Sequence, residues 1–199
     1  LDLFYANGTL IEDPTPRLFV YRQTWRGRSQ DGLVATCAVD DYDADVIKKH
    51  EKTRADKEDD RTRHLDAVAA HDEPVFLAYR ADPRIDAIVA EATTAAPAYD
   101  FTSADGVRHT LWTLDDDTSR RLAASFETVP TLYVADGHHR SAASARVHAL
   151  REGGGGEHDV FLAVLFPDAQ LRILPYNRLV RDRQGRSPGQ LLAGLRTVL

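Results

Sequence analysis

Short stretches of apolar residues run along this chain, several of them alternating with polar residues, and they end at residues that form turns. A spacing of two is typical of β-strands with one buried face. Three pairs of stretches flank polar or glycine-containing segments and predict β-hairpins: Arg17–Trp25 with Gly32–Val39, Tyr99–Thr102 with Val107–Leu114, and Val160–Phe166 with Leu171–Leu174. The apolar segments Glu73–Arg80 and Thr131–Ala135 predict two further strands.

Segments with helical character separate these strands. Asp82 and Pro83 combine an N-cap residue with proline at the first helical position, and apolar residues from Ile85 to Ala92 follow at helical spacing. Helices are also predicted over most of Asp43–His71, from Asp116 or Asp117 to Phe126, over Arg140–Arg151 and over Pro188–Leu199.

Strands and hairpins that interleave with helices in this way predict a mixed α+β fold, with a hairpin-rich sheet and packed helices. The 199 residues suit one domain, since domains usually have about 100–200 residues. We expect a single domain over residues 1–199 with its core between 17 and 178. The chain has no methionine and begins with Leu1, so we expect it to be part of a longer chain in which residues 188–199 begin a helix.

The composition favours a water-soluble protein of the cytoplasm. No apolar run reaches the roughly 20 residues of a membrane-spanning helix, and no signal peptide is visible. Cys37 is the only cysteine, which excludes a disulfide framework and fits a reducing compartment. The 25 Lys+Arg and 31 Asp+Glu residues give a net charge of −6, which argues against a general nucleic-acid coat but leaves room for a local basic groove.

The densest group of chemically active residues lies where an apolar strand meets a helix of small residues: Asp136, Gly137, His138, His139 and Arg140. N–H groups at a helix start lack intrahelical acceptors and carry the positive end of the helix dipole, so this segment predicts a cradle for phosphate or another anion. Asp136 can hold Mg²⁺ or accept a proton from a substrate hydroxyl. In the structural alternative, Asp136 only caps the helix and the histidines are spacers.

A second group of charged residues precedes it in the chain. On a helix, His50, Arg54, Lys57, Arg61 and His64 would share one face, because they are spaced by four, three, four and three. Two histidines and three cations on one face suit an anionic ligand. From spacing alone, however, a solvated helix face with ion pairs between neighbours is the favoured interpretation.

Together the two groups resemble domain-of-unknown-function family 1015. The residues that carry the resemblance are, in chain order, Leu18–Gln23, His50-Glu51-Lys52-Thr53, Lys57, Asp60-Arg61, Glu73–Tyr79 and Ala135–Arg140. They extend over most of the chain, roughly from Arg17 to Arg178. Members of that family are considerably longer than 199 residues, which agrees with the expectation of a longer chain.

The segment Gly137–Ala143 is also similar to the Gly-x-Arg-Arg-x-x-Ala box of the ParB and sulfiredoxin-like fold. That wider group binds nucleotide phosphates at the box; it includes partition proteins that hydrolyse CTP and kinases that phosphorylate free serine. The resemblance therefore implies a ParB/sulfiredoxin-like fold that binds a nucleotide. This chain has His138, His139 and Arg140 where partition proteins carry an acidic residue and two arginines, and it shows no helix-turn-helix module, so DNA is not an expected partner.

We accordingly predict nucleotide- and Mg²⁺-dependent phosphoryl transfer to a small polar metabolite, with serine-like acceptors first. Glu51 is the predicted base, Asp136 the metal ligand, and His138 a further catalytic residue. Contacts to phosphate or nucleotide are predicted for Gly137, His139, Arg140, Ser141, His50, Thr53, Arg54, Lys57 and Arg61. The expected partner is a nucleoside di- or triphosphate or another small molecule. Association with a membrane is not expected, and the oligomeric state stays open.

Two other classes of function stay open. One is a nucleotide-binding regulator of ParB type without metabolite turnover. The other is a hydrolase with a His/Asp metal site, in which zinc is less favoured because adjacent histidines seldom bind one metal together. The site hypothesis in each case requires residues 50–64 and 136–141 to line one cleft.

Overall fold

The computed structural model describes residues 1–151, 155–175, 177–179 and 181–198. In chain order the elements are α1 (Asp2–Ala6), β1 (Phe19–Trp25), β2 (Arg28–Ala38), α2 (Val39–Asp43), β3 (Ile47–Lys48), α3 (Ala55–Val68), β4 (Val75–Tyr79), α4 (Pro83–Ala92), β5 (Tyr99–Thr102), β6 (Arg108–Thr113), α5 (Asp116–Phe126), β7 (Leu132–Asp136), α6 (His138–Leu150), β8 (Val160–Pro167) and α7 (Pro188–Leu195). Within these ranges no helix is both long enough and apolar enough to cross a membrane.

The strands form one mixed sheet in the order β3-β7-β4-β8-β2-β1-β6-β5. The pairs β3–β7 and β4–β8 are parallel, and the remaining neighbours are antiparallel. A mixed sheet with helices between its strands is an α+β fold, as the sequence pattern predicts.

The first two predicted hairpins are confirmed, and the turn of the first is tighter than expected. Arg26 and Gly27 both have positive φ, 49° and 75°, as the two-residue turns that match strand twist require. The pairing therefore continues up to Trp25 and Arg28. Residues 28–31, which the sequence assigns to a loop, belong to β2.

The third predicted hairpin is wrong. β8 forms, but residues 171–174 are not a strand. Both edges of β8 are already occupied, by β2 on one side and by β4 on the other. A further strand after the turn at Asp168–Gln170 would have no free edge of β8 to pair with.

The long helix predicted over most of Asp43–His71 is also wrong, because the segment divides into α2, β3 and α3. Ile47 is 1% exposed and pairs with Leu132 of β7, so burial in the sheet takes this residue out of a helix. Residues 49–54 then run without helix to the start of α3.

The other predicted helices form with shifts at their ends. The helix predicted over Pro188–Leu199 ends at Leu195, and Leu199 lies outside the described residues. Asp82 caps α4 by accepting a hydrogen bond from the N–H of Arg84, and Pro83 opens the helix as predicted. Asp115, and not Asp116 or Asp117, caps α5. The helix predicted from Arg140 begins two residues earlier, at His138.

One hydrophobic core joins the sheet to the helices. Its strand residues include Val20, Leu77 and Phe161, and its helical residues include Ile85 and Leu122; all five are at most 1% exposed. This core holds the ends of β4 and β7 and the start of α6 in fixed positions relative to one another.

Candidate functional site

The junction of β7 and α6 forms the centre of the candidate site. β7 ends at Asp136, which pairs with Phe76 of β4, and α6 begins two residues later at His138. Gly137 lies between them with φ 95° and ψ 26°, in the left-handed region that only glycine adopts without strain. The chain therefore turns within one residue, and the N–H groups of His138 and His139 begin the helix at the end of the sheet, while that of Arg140 donates to the carbonyl of Gly137 at 2.9 Å.

The side chain of Arg140 folds back over this turn. Its Nη2 donates a hydrogen bond to Oδ2 of Asp136 at 2.6 Å, and Nη1 donates to the carbonyl oxygen of Pro74. Its Nε lies 3.8 Å from Oε2 of Glu73. Strand end, helix start and the segment before β4 are thus linked through one guanidinium group.

Replacing Gly137 with Ala is expected to destabilise the protein in two separable ways. The left-handed backbone costs an alanine about 1–2 kcal/mol. The new Cβ would lie 3.1 Å from Cζ and Nε of Arg140, so the guanidinium has to shift by a few tenths of an ångström. This shift weakens its ion pair with Asp136 and adds up to about 1 kcal/mol. Urea unfolding measures both contributions.

Gly106→Ala is the matched control for this substitution, because Gly106 has φ 82° and nothing lies within 4 Å of its added Cβ. It should show the backbone cost alone. In an Arg140→Ala background the two glycine substitutions should become equally costly. An excess for Gly137→Ala that persists without the Arg140 side chain would contradict the proposed contact.

His138 is a buried histidine at the start of α6, with 5% of its side chain exposed. Its Nδ1 lies 3.7 Å from Oε2 of Glu51, and its ring meets the ring of His50 edge to face at a centroid distance of 4.5 Å. Burial lowers the pKa of His138 below its usual value, and His50 lowers it further, against the opposing effects of Glu51 and Asp136. The imidazole is therefore neutral at physiological pH.

The segment before α3 is tied directly to α6. The backbone N–H of Arg54 donates to Nε2 of His139 at 3.2 Å, and Arg54 is also the N-cap residue of α3. This contact places the first turns of α3 and α6 side by side. The Arg54 guanidinium itself is paired with the carboxylate of Asp56, at 2.8 Å and 3.1 Å.

The two groups of residues singled out in the sequence line one cleft of about 450 Å³. Its walls are formed by Glu51, Arg54, Lys57, Arg61, Glu73, Asp136, Gly137, His138, His139 and Arg140. The residues do not come together on one helix face, as the spacing predicted, because His50 and Arg54 precede the first residue of α3. Tertiary contacts between α3, α6 and the segment from His50 to Arg54 bring the residues together instead.

Four of the residues in the predicted set or on the predicted face lie outside the cleft walls. Ser141 is fully buried, and its hydroxyl donates to the carbonyl of His138 at 3.1 Å. Thr53 donates to the carboxylate of Glu58. His50 packs on His138, and His64 is hydrogen-bonded to Asp72 at 3.0 Å.

Two cations of the cleft are available to a ligand. Within the described ranges, neither Lys57 nor Arg61 forms an ion pair, whereas Arg54 and Arg140 are held by Asp56 and Asp136. Since Lys57 and Arg61 are four residues apart on α3, they stand one turn apart on the same wall.

Glu73 is a cleft residue that the sequence interpretation missed as part of the site. It lies two residues before β4, and its carboxylate lies 3.8 Å from Nε of Arg140, the residue whose Nη2 bonds Asp136. The sequence did contain a signal for this role, because Glu73 is the first residue of the predicted strand Glu73–Arg80, and polar residues at strand ends often line binding sites.

The order of these residues along the chain is that of a known family. Residues 1–199 match the family model described as Protein of unknown function (DUF1015). The chain belongs to this family. Comparison with curated proteins gives no match, and comparison with solved structures gives none either. Family membership therefore confirms the resemblance to domain-of-unknown-function family 1015 and assigns no activity.

The acidic residues described in the DUF1015 site do not by themselves form a complete set of metal ligands. In the part of the chain that the structure describes, no three His, Cys, Asp or Glu side chains are grouped so that they could hold a metal ion. Asp136 has 70% of its side chain exposed at the cleft. It fits the common way of binding Mg²⁺, in which one or two carboxylates and the phosphates of a substrate share the ion with water.

Proposed function

We propose that this cleft binds the phosphates of a nucleoside di- or triphosphate together with Mg²⁺ and transfers a phosphoryl group to a small polar acceptor such as serine. The observation that carries the proposal is the convergence of the start of α6, Arg140, Lys57 and Arg61 on one cleft. Phosphoryl transfer depends mainly on positioning and on neutralising charge, and the cleft offers groups for both.

The phosphate subsite is assigned to the turn at Gly137. The helix begins there with the N–H groups of His138 and His139, and an anion on them would gain from the helix dipole. Arg140 lies beside this turn, and Lys57 and Arg61 stand on the facing helix. The similarity of Gly137–Ala143 to the phosphate-binding box of ParB and sulfiredoxin-like proteins supports the same assignment.

Asp136 and Glu51 have separate roles in the proposed reaction. Asp136 would hold Mg²⁺, whose chemistry is to neutralise charge on the phosphate oxygens. Glu51 has 64% of its side chain exposed and would accept the proton of the acceptor hydroxyl. The acceptor oxygen then forms its bond to phosphorus while the bond to the nucleotide's bridging oxygen breaks, and the nucleotide leaves one phosphate shorter.

The buried His138 is assigned to holding Glu51 in place. Nδ1 of its neutral ring lies 3.7 Å from the carboxylate, and the ring of His50 packs edge to face on it.

Arg61→Ala is expected to lower nucleotide affinity by about 10- to 150-fold, the usual value of a hydrogen bond to a charged group. Isothermal titration with ATP, CTP, ADP and pyrophosphate, each with and without Mg²⁺, identifies the ligand and measures the loss. Arg63→Ala is the matched control, because Arg63 is on the same helix, is 79% exposed and does not line the cleft.

Thermal unfolding of the parent protein gives an independent readout. A ligand of the folded state raises stability by about 2.7 kcal/mol at a hundred times its dissociation constant. If no nucleotide raises the unfolding temperature, or if Arg61→Ala and Arg63→Ala bind alike, the proposal is wrong. Tight binding without transfer to any acceptor would instead favour a nucleotide-binding regulator of ParB type.

A further inference from the structure

A second surface of the molecule lies on the half of the sheet formed by β2, β1, β6 and β5. Residues Val20, Leu33 and Trp112 of these strands point into the core. Strand register places Tyr99 opposite Leu111 and Tyr21 on the other face. It places Phe101 opposite His109 on that same face, with Gln23 and Gln30 next in the row.

This face carries exposed aromatic rings. Tyr99 is 64% exposed, Phe101 58% and Trp25 41%. The rings of Tyr21 and His109 are stacked at 5.9 Å and 12°, and those of Phe101 and His109 at 5.1 Å and 22°. We call these five side chains the aromatic platform.

Hydrogen bonds keep the rings of the platform in place. The hydroxyl of Tyr21 lies 2.6 Å from Nδ1 of His109 and accepts a bond from Nε2 of Gln23 at 3.1 Å. Gln30 in turn donates to Gln23 at 2.8 Å. The rings of Tyr21 and His109, on which Phe101 stacks, are therefore ordered before any ligand arrives, which lowers the entropic cost of binding at this part of the platform.

A basic cleft of about 470 Å³ adjoins the platform at Trp25. It is lined by Gln23, Trp25, Arg26, Arg28, Ser29, Gln30, Val107, Gln170, Arg172 and Leu174, and no acidic residue is among them. Over the described ranges, Arg26, Arg28 and Arg172 form no ion pair with a carboxylate. Three such arginines in a chain of net charge −6 make a local positive surface that complements a polyanion.

We propose that the aromatic platform and its basic cleft bind single-stranded nucleic acid. Unpaired bases would stack on Phe101, on Tyr99 and on the face of Trp25 opposite the Arg26 guanidinium, which lies 4.3 Å from the centroid of that ring. The backbone phosphates would pair with arginines of the cleft. Aromatic rings beside a positively charged groove are the general means of holding single strands. A duplex keeps its bases inside the helix and cannot use the rings, so the proposal differs from duplex recognition by a helix-turn-helix.

The two tryptophans of the chain provide a direct assay. Trp25 is exposed, whereas Trp112 is 6% exposed in the core. Titration with oligouridine or oligothymidine of about 16 nucleotides should quench the fluorescence of Trp25. The Trp25→Phe variant, which retains only Trp112, should show no quenching. A comparison of the two oligomers shows whether RNA or DNA is preferred.

Affinities follow from the anisotropy of the same oligomers carrying fluorescein. Phe101→Ala should weaken binding by about 5- to 150-fold, the usual loss for one base-stacking ring. Tyr5→Ala is its control, because Tyr5 is 51% exposed but lies outside the platform. Arg28→Ala should weaken binding and flatten its salt dependence, whereas Arg63→Ala on α3 should do neither.

Three results would overturn the proposal. They are the absence of any signal with single strands, equal affinity for a duplex of the same length, and unchanged binding by Phe101→Ala. If the oligonucleotide instead binds the cleft of the proposed function, Arg61→Ala should lose binding and Phe101→Ala should keep it. That result would also contradict binding at the aromatic platform. Nucleotide binding is also measured on Phe101→Ala, because Phe101 does not line the cleft of the proposed function. Failure of the platform proposal can then be distinguished from failure of the proposed function.

Discussion

Asp136→Asn is expected to lower phosphoryl transfer by about 100-fold or more, the usual effect of removing a group that acts in the transition state, while the protein stays folded. The side chain is 70% exposed, so the core does not depend on it. Asparagine has the same shape and can still accept the hydrogen bond from Arg140, but it carries no charge for Mg²⁺. Release of ADP from ATP with serine and other small hydroxyl compounds measures the loss.

Asp117→Asn is the control for this substitution. Asp117 is 71% exposed and pairs with Arg120 three residues later on α5, so the variant removes an equally exposed carboxylate outside the cleft. Full activity in Asp136→Asn would exclude the assigned role. Equal losses in both variants would show that the effect is not specific to the cleft.

Phe161→Ala is expected to reduce the free energy of unfolding by about 3–5 kcal/mol, the range for truncating a buried phenylalanine. Phe161 is 1% exposed, and its ring packs edge to face on Tyr42 at a centroid distance of 6.3 Å. It belongs to the core that supports α2 and the strands beside α6. Urea unfolding followed by circular dichroism gives the value.

Phe101→Ala provides the matched comparison, because the same side chain is 58% exposed there and contributes only a cross-strand contact, worth about 1 kcal/mol or less. If Phe161→Ala costs no more than Phe101→Ala, the packing of the core around β8 is not as described.

Local patterns along the chain predict most of the fold. Asp82 and Pro83 start α4 because both act within one helical turn, through a hydrogen bond to the N–H of Arg84 and through a fixed φ. The Asp105-Gly106 turn likewise closes the hairpin of β5 and β6. Features of this kind depend on neighbours in sequence, so the sequence alone is enough to predict them.

The wrong predictions share one cause, which is competition for places in the sheet. Ile47 leaves a helix-compatible segment because β7 offers it a buried edge. Residues 171–174 fail to form a strand because β2 and β4 already occupy both edges of β8. None of these three partner strands is near in sequence, and no local pattern reveals them.

The candidate site shows the same division. The sequence by itself determined the chemical types at the site, including the strand end, glycine and helix start at Asp136–His138 and the cations Lys57 and Arg61, because these follow from residue identity and short-range spacing. It also determined family membership through the order of its motifs. Only the tertiary structure decided that the two groups share a cleft and that Glu73 joins them. Those results depend on contacts such as Arg54 with His139 and Glu73 with Arg140, which link residues far apart in sequence through packing of the whole domain.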